Sequence, residues 1–162
     1  MGLDLYIETS EKIKHRTTGV YIRENGMNKE LKTIEEVKKY FPNRDISHIY
    51  EYEYVDNYIF NRHMTHNLSE MAEHIILDNN INLYLLLWHP SDLGFKYVDE
   101  KYVNYINKSL ELLIKNKKKL EKYNPENGWG NYETLLGFVR SLANCLNNID
   151  VKNKEYSIYS SI

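Results

Sequence analysis

Cysteine is nearly missing from this chain of 162 residues: Cys145 stands alone, within a helical pattern. Neither a disulfide framework nor a thiolate metal cluster can be built within one chain, and a reducing, cytoplasmic setting is expected. Long hydrophobic runs are also lacking. The most apolar stretch, INLYLLLWHP at 81–90, falls well short of the roughly 20 residues of a membrane span and ends in His and Pro, so it is read as a buried strand or core turn. The opening MGLDLYIETSEKIKHR is broken by Asp4 and Glu8 and has no long apolar region of the kind a signal peptide carries. No membrane partner is expected. Charge of one sign is scarce too: the formal net charge is −2 with acids and bases interspersed, which gives no basic footprint for phosphate backbones and argues against nucleic acid. With seven glycines and no repeat, low-complexity tract or Gly/Ser linker, the chain reads as a single domain over 1–162, long enough to bury a core unaided.

What the chain does have is tyrosine, asparagine and amphipathic patterning. LDLYIET at 3–9 and TTGVYIRE at 17–24 read as two strands, with the polar SEKIKHR between them closing a hairpin. TIEEVKKYF carries Thr33 and Glu36 at capping-box spacing, with Pro42 beyond its end, and predicts a short helix. HIYEYEYVDNYIF at 48–60 alternates with period two and predicts one long strand or two short ones, with Tyr50, Tyr52 and Tyr54 sharing a face. A second helix is expected near THNLSEMAEHI, capped by Asn67 with Glu70 completing the box, and with Leu68, Met71, Ala72 and Ile75 as its apolar stripe. The strongest helical pattern covers 99–123, with Val103, Ile106, Leu110, Leu113 and Leu120 on one face and lysines toward the C-terminal end. A last helix follows, with Leu135, Phe138, Val139, Leu142 and Leu146 inward, and EYSIYSSI closes as an edge strand. The expected fold is α+β: a small, mostly antiparallel sheet packed against two long helices and one or two short ones.

Three stretches hold the residue types that could carry function. Residues 61–74 bring His63, His66 and His74 together with Asn61, Thr65 and Asn67. The spacing matches no tight metal motif, so no metal and no cofactor are expected. The N–H groups at the helix start would instead receive an anionic or carbonyl oxygen, Asn67 capping. Trp88 and His89, at the end of the apolar run, would offer a ring platform and an imidazole to a pocket; a purely core Trp88 is the alternative. In NPENGWGNYETL at 124–135, Pro125 ends one helix, and Gly128 and Gly130 free the backbone around Trp129. There the indole is expected to turn inward as a plug while neighbouring N–H groups stay open. Asn127, Trp129, Asn131 and Tyr132 would then face a ligand, with Asn131 or Glu133 starting the last helix.

The pairing of Thr65, Asn67 and Met71 with Asn124, Pro125, Asn127, Gly128, Trp129, Gly130 and Tyr132 resembles a family of small uncharacterised bacterial and bacteriophage proteins that carry an NPxNGWGxY motif. Members often open much as MGLDLY does here. The resemblance covers the C-terminal two thirds best and implies a bacterial or phage-infected host cell, without implying an activity. Aromatic planes, neutral amides and histidines suit a small planar polar or nucleotide-like ligand. By analogy with phage biology, such a protein could act as a sponge for a nucleotide-derived host immune signal. An interaction or oligomerising module that uses the Tyr-rich strand for edge addition is the alternative. A hydrolase acting on a nucleotide-like substrate ranks below both, because no nucleophile elbow, P-loop or metal-hydrolase signature is present and Cys145 lies among apolar residues.

Overall fold

The computed structural model describes residues 2–24 and 27–162. The chain is α+β, and every strand pairing is antiparallel. Strand β1 (Gly2–Thr17) is central to a three-stranded sheet of order β4-β1-β7, with β4 spanning Tyr52–Thr65 and β7 Tyr156–Ser161. Along β1 the alternation sends Leu3, Leu5 and Ile7 to the interior and leaves Asp4, Tyr6 and Glu8 on the outer face. Phe60 and Met64 of β4 and Tyr156 and Ile158 of β7 join the inner face.

The polar segment after residue 9 does not reverse the chain. It continues β1, with residues 9–12 standing against residue 57 alone in a wide bulge. SEKIKHR holds no Gly, Pro, Asn or Asp, the residues that a tight reversal requires. The chain turns instead at Thr18 and Gly19, and a hairpin of β2 (Val20–Glu24) and β3 (Met27–Leu31) folds back. One hairpin face packs Val20 and Leu31 on Val37 of helix α1 (Ile34–Tyr40), with Phe41, Ile46 and Ile49 around them. Thr33 caps α1 by accepting the Glu36 N–H at 3.1 Å, as its position predicts.

Strand β4 begins at Tyr52 and runs to Thr65, so Tyr50 precedes it and the strand continues past the expected end. A 3-10 turn (His66–Leu68) leads into α2 (Ser69–Glu73), followed by the small β5 (Ile76–Asp78) and β6 (Ile81–Asn82) pair. Residues 83–88 form helix α3 (Leu83–Trp88) where a buried strand or core turn was expected. Asn82 accepts the Leu85 N–H at 2.9 Å as its cap, and a leucine-rich run with no β-branched residue favours helix. Leu83, Leu86, Leu87 and Trp88 are buried, and Pro90 follows the end.

The long helical pattern is broken after Lys115 into α4 (Glu100–Lys115), α5 (Lys117–Leu120) and a 3-10 turn (Glu121–Tyr123). Asn116 makes the break: its side chain and its backbone both donate to the Leu112 carbonyl at 3.0 Å. Helix α6 (Tyr132–Asn147) starts at an Asn131–Thr134 capping box and buries Leu135, Phe138, Val139, Leu142 and Leu146 as its stripe predicts. The two long helices, α4 and α6, hold across one another by a reciprocal amide pair, Asn107 with Asn147. With α3 they cover the inner face of the sheet, and Trp88 is fully buried among them. There are more short helices than the one or two expected, because the sequence pattern hid α3 and the break at Asn116. Among the described residues no helix is long and apolar enough to cross a membrane.

Candidate functional site

A groove of about 1160 Å³ opens between β4 and the β2–β3 hairpin, with the loop before α6 at one end. The hairpin builds one wall by the same alternation that packs its other face on α1. The cross-strand pairs Tyr21 with Glu30 and Arg23 with Asn28, together with Lys32, look into the groove. The hairpin returns to the main body at Arg62, whose Nη1 lies 3.5 Å from the Asn28 carbonyl.

Charge in the groove differs from charge in the whole chain. Arg16, Arg23, Lys29, Lys32 and Arg62 line it, against Asp4, Glu30 and Asp56. Five bases to three acids is a local excess of two positive charges in a chain of net charge −2. Two of the acids are held by histidines: Asp56 by His15 at 2.7 Å and Asp4 by His63 at 3.0 Å. Arg16 pairs with Glu53 and Lys29 with Glu24. Among the described residues, no carboxylate lies within 4 Å of Arg62 or Lys32. His15 also stacks on Tyr54, centroids 5.1 Å apart. Burial, then the nearby Glu30, raises the hydroxyl pKa of both Tyr21 and Tyr54, so both rings stay neutral and can donate.

At the far end, two stretches distant in sequence meet. Gly130 lies against Thr65 and Leu68 so closely that a Cβ built on it would come 2.8 Å from the Thr65 methyl and 3.2 Å from Leu68 Cδ1. Its φ of 86° is in the left-handed region that glycine tolerates. Backbone therefore fills the space that Trp129 was expected to plug. The indole is 70 % exposed beside the groove, which corrects the inward reading.

Four of the five N–H groups from residue 128 to 132 are taken, Gly130 being the exception among the described residues. Asn127 accepts the Trp129 N–H at 2.9 Å, Asn124 accepts the Tyr132 N–H at 2.7 Å, Gly128 donates to the Pro125 carbonyl, and Asn131 donates to Thr134 Oγ1. The asparagines hold much of the loop's shape, and the ring is left exposed.

Asn61, His63, Thr65 and Trp129 thus share one groove, and Asn127 shapes the loop that carries the ring. Other expected residues lie apart. Trp88 is core and does not line the groove; its Nε1 has no partner among the described residues. His66 stands edge-on to Trp88, centroids 6.1 Å apart, while His89 bonds the Tyr84 hydroxyl at 3.0 Å with Asp92 3.7 Å from its other nitrogen. Tyr132 is buried, donating its hydroxyl to the Leu113 carbonyl at 2.6 Å, and Asn131 is the cap of α6.

Thr65, and not Asn67, caps the turn after β4: its Oγ1 accepts the Asn67 N–H at 3.4 Å, while Asn67 itself is exposed. The Glu70 box does not form, because α2 is five residues entered through a 3-10 turn. So short a helix has little dipole to offer an anion. The histidines do not converge: His74 stacks on Tyr123, far from the Asp4 partner of His63. Among the described residues no cluster of three His, Cys, Asp or Glu is placed to hold a metal.

Sequence reasoning missed Arg23 and left open whether Arg62, Arg140 or a lysine reaches a pocket; Arg23, Lys32 and Arg62 line one groove only once the hairpin folds back on β4. The alternation Tyr21–Arg23 and Asn28–Glu30–Lys32 was the signal that could have found the wall. Cys145 is disfavoured as a thiolate: burial pushes its thiol up to about 11 against the opposing Arg62 charge. No family model, curated protein or solved structure matches the chain.

Proposed function

We propose that this chain is a ligand-binding protein whose groove takes a small, planar, nucleotide-like anion at the end formed by Thr65 and loop 124–131. The observation that carries this is the placement of an exposed indole beside a groove with an excess of cations, Arg62 and Lys32 having no carboxylate of their own among the described residues. A base or other ring stacks on Trp129, and phosphate oxygens meet Arg62 and its neighbours. Asn61, His63 and Thr65 supply hydrogen bonds of both senses along β4. Since the loop is held by its own asparagines, little ordering entropy is lost when the ring is covered. Sequestration of a nucleotide-derived host immune signal is the biological role to which this extends, by analogy with phage proteins.

Calorimetric titration with cyclic dinucleotides and ADP-ribose derivatives tests the proposal. The expected result is binding that weakens with added salt and disappears in Trp129→Ala. Absence of heat and of thermal stabilisation across the whole panel would sink it.

A further inference from the structure

Side chains of a strand alternate between its faces, so a groove lying over one face is lined by every second residue. Here residues 58–65 all line the groove, consecutively. It therefore meets β4 along its edge, where main-chain N–H and C=O groups point outward. Among the described residues β4 has one strand partner, β1. The opposite border of the sheet is closed: Val98 donates to the Tyr156 carbonyl at 2.9 Å and Ile158 to the Lys96 carbonyl at 3.1 Å. Among the described residues no main-chain hydrogen bond closes the β4 edge in this way: Cys145 Sγ lies 3.6 Å from the Ile59 carbonyl, beside the pairing irregularity between residues 58 and 60, and Gly130 packs on Thr65, while the strand lacks proline, a common guard of exposed edges.

We infer that the β4 edge accepts an extended acidic peptide as an added strand, lying between β4 and the polar face of the hairpin. Main-chain pairing with residues 58–65 supplies the register-bearing contacts, and alternate side chains of the peptide face the cations. Eight residues of strand span about 26 Å, room for an extended chain as well as for a compact ligand at the Trp129 end. The volume, about 1160 Å³, exceeds the roughly 300–1,000 Å³ of ordinary small-molecule pockets. Charge selects the partner: Arg62 and Lys32 stand on opposite walls of the groove, and its bases outnumber its acids five to three. This goes beyond the nucleotide proposal, which concerns the Trp129 end, and either can fail without the other.

The test is fluorescence anisotropy on the full chain with a library of eight-residue peptides carrying Glu at alternate positions and random residues between. The tightest binder is then remade with lysines for the glutamates, and with backbone N-methylation on each of the two alternating sets of residues. One methylated form is expected to bind about tenfold or more weakly and the other much less so, since only every second N–H of a strand faces its neighbour. The lysine form should lose at least as much, and hydrogen exchange at residues 58–65 should slow when the parent peptide binds. Arg62→Gln should weaken the parent peptide while the melting curve holds. Equal binding of both methylated forms, equal binding of the lysine form, or no binder in the library overturns the inference. Dimerisation through β4 without peptide binding overturns it as well, in favour of a second copy. Nucleotide titration of the same samples reports separately on the Trp129 end.

Discussion

Replacing Gly130 by alanine tests whether the backbone contact between loop 124–131 and the end of β4 is what holds the indole outside. Two costs add at this position. An L-residue held at φ 86° loses about 1–2 kcal/mol, and the new Cβ meets the Thr65 methyl at 2.8 Å, an overpacking of about 1–3 kcal/mol. Gly128 provides the control. Its φ is 74°, yet a Cβ there meets nothing within 4 Å, so Gly128→Ala carries the backbone cost of about 1–2 kcal/mol alone.

The Thr65 methyl cannot swing aside freely, because rotating χ1 would also carry Oγ1 away from the Asn67 N–H it accepts. Thr65→Ser keeps that oxygen and deletes the methyl. Urea denaturation of the four chains closes a double-mutant cycle: Gly130→Ala should lose about 2–5 kcal/mol, and adding Thr65→Ser should return about 1–2 kcal/mol of it. For a chain of this size each kcal/mol moves Tm by about 2–4 °C, so thermal melts resolve the difference. If Gly130→Ala and Gly128→Ala destabilise equally, or Thr65→Ser gives no rescue, loop and strand are not in the close contact described.

The two tryptophans should separate cleanly in denaturation curves. Trp88→Ala loses a fully buried ring and about 3–5 kcal/mol, whereas Trp129→Ala stays within about 0.5 kcal/mol and abolishes ligand heat; a large stability loss at Trp129 would count against its exposure. Tyr132→Phe leaves the Leu113 carbonyl without its donor, which should cost about 1–3 kcal/mol in the same assay. Native Cys145 should alkylate on the order of a hundredfold more slowly at pH 8.5 than the unfolded chain, whose cysteine ionises near 8.5, because the folded thiol sits at about 11. Its folded pKa is the raised one, as for the buried Tyr102 hydroxyl. That stability is complete below the unfolded values and is lost as pH rises toward the folded ones, so urea midpoints should fall from about pH 8.5 upward. A midpoint unchanged to pH 11 would contradict the burial.

Local patterns carried much of the fold. The stripe of α6, the alternation of Leu3, Leu5 and Ile7, the Thr33 cap and the closing strand β7 each follow from spacing within a few residues. Misreadings arose where a local pattern admitted two outcomes. The six apolar residues LYLLLW suit a buried strand or a buried helix until the cap is weighed, and Asn82 decides for helix. A polar interval between apolar strands suggests a turn, although β1 simply bulges through it.

The groove was legible only in part, because its walls are far apart in the chain: Asn28 and Arg62 approach across 34 positions. No periodicity reports that the hairpin folds back along β4. Trp129 was misplaced for a related reason. A tryptophan is buried when something leaves room for it, and here Gly130 had already taken the space beside Thr65 and Leu68.

That exchange of ring for backbone explains why a connection between two helices spends so many asparagines and glycines. Asn124 and Asn127 accept the loop's own N–H groups, Asn131 caps α6, and Gly130 allows the loop to press against the end of β4. None of these residues gains by exposing an indole, and the same loop would be as well satisfied with a polar residue at 129. Cations from several separate elements, Arg16 of β1, Arg23 and Lys29 of the hairpin, Lys32 just after it and Arg62 of β4, lie along the groove that the ring borders. Loop and hairpin serve the fold by separate contacts and still border one groove, and that convergence is what the proposed ligand reading rests on.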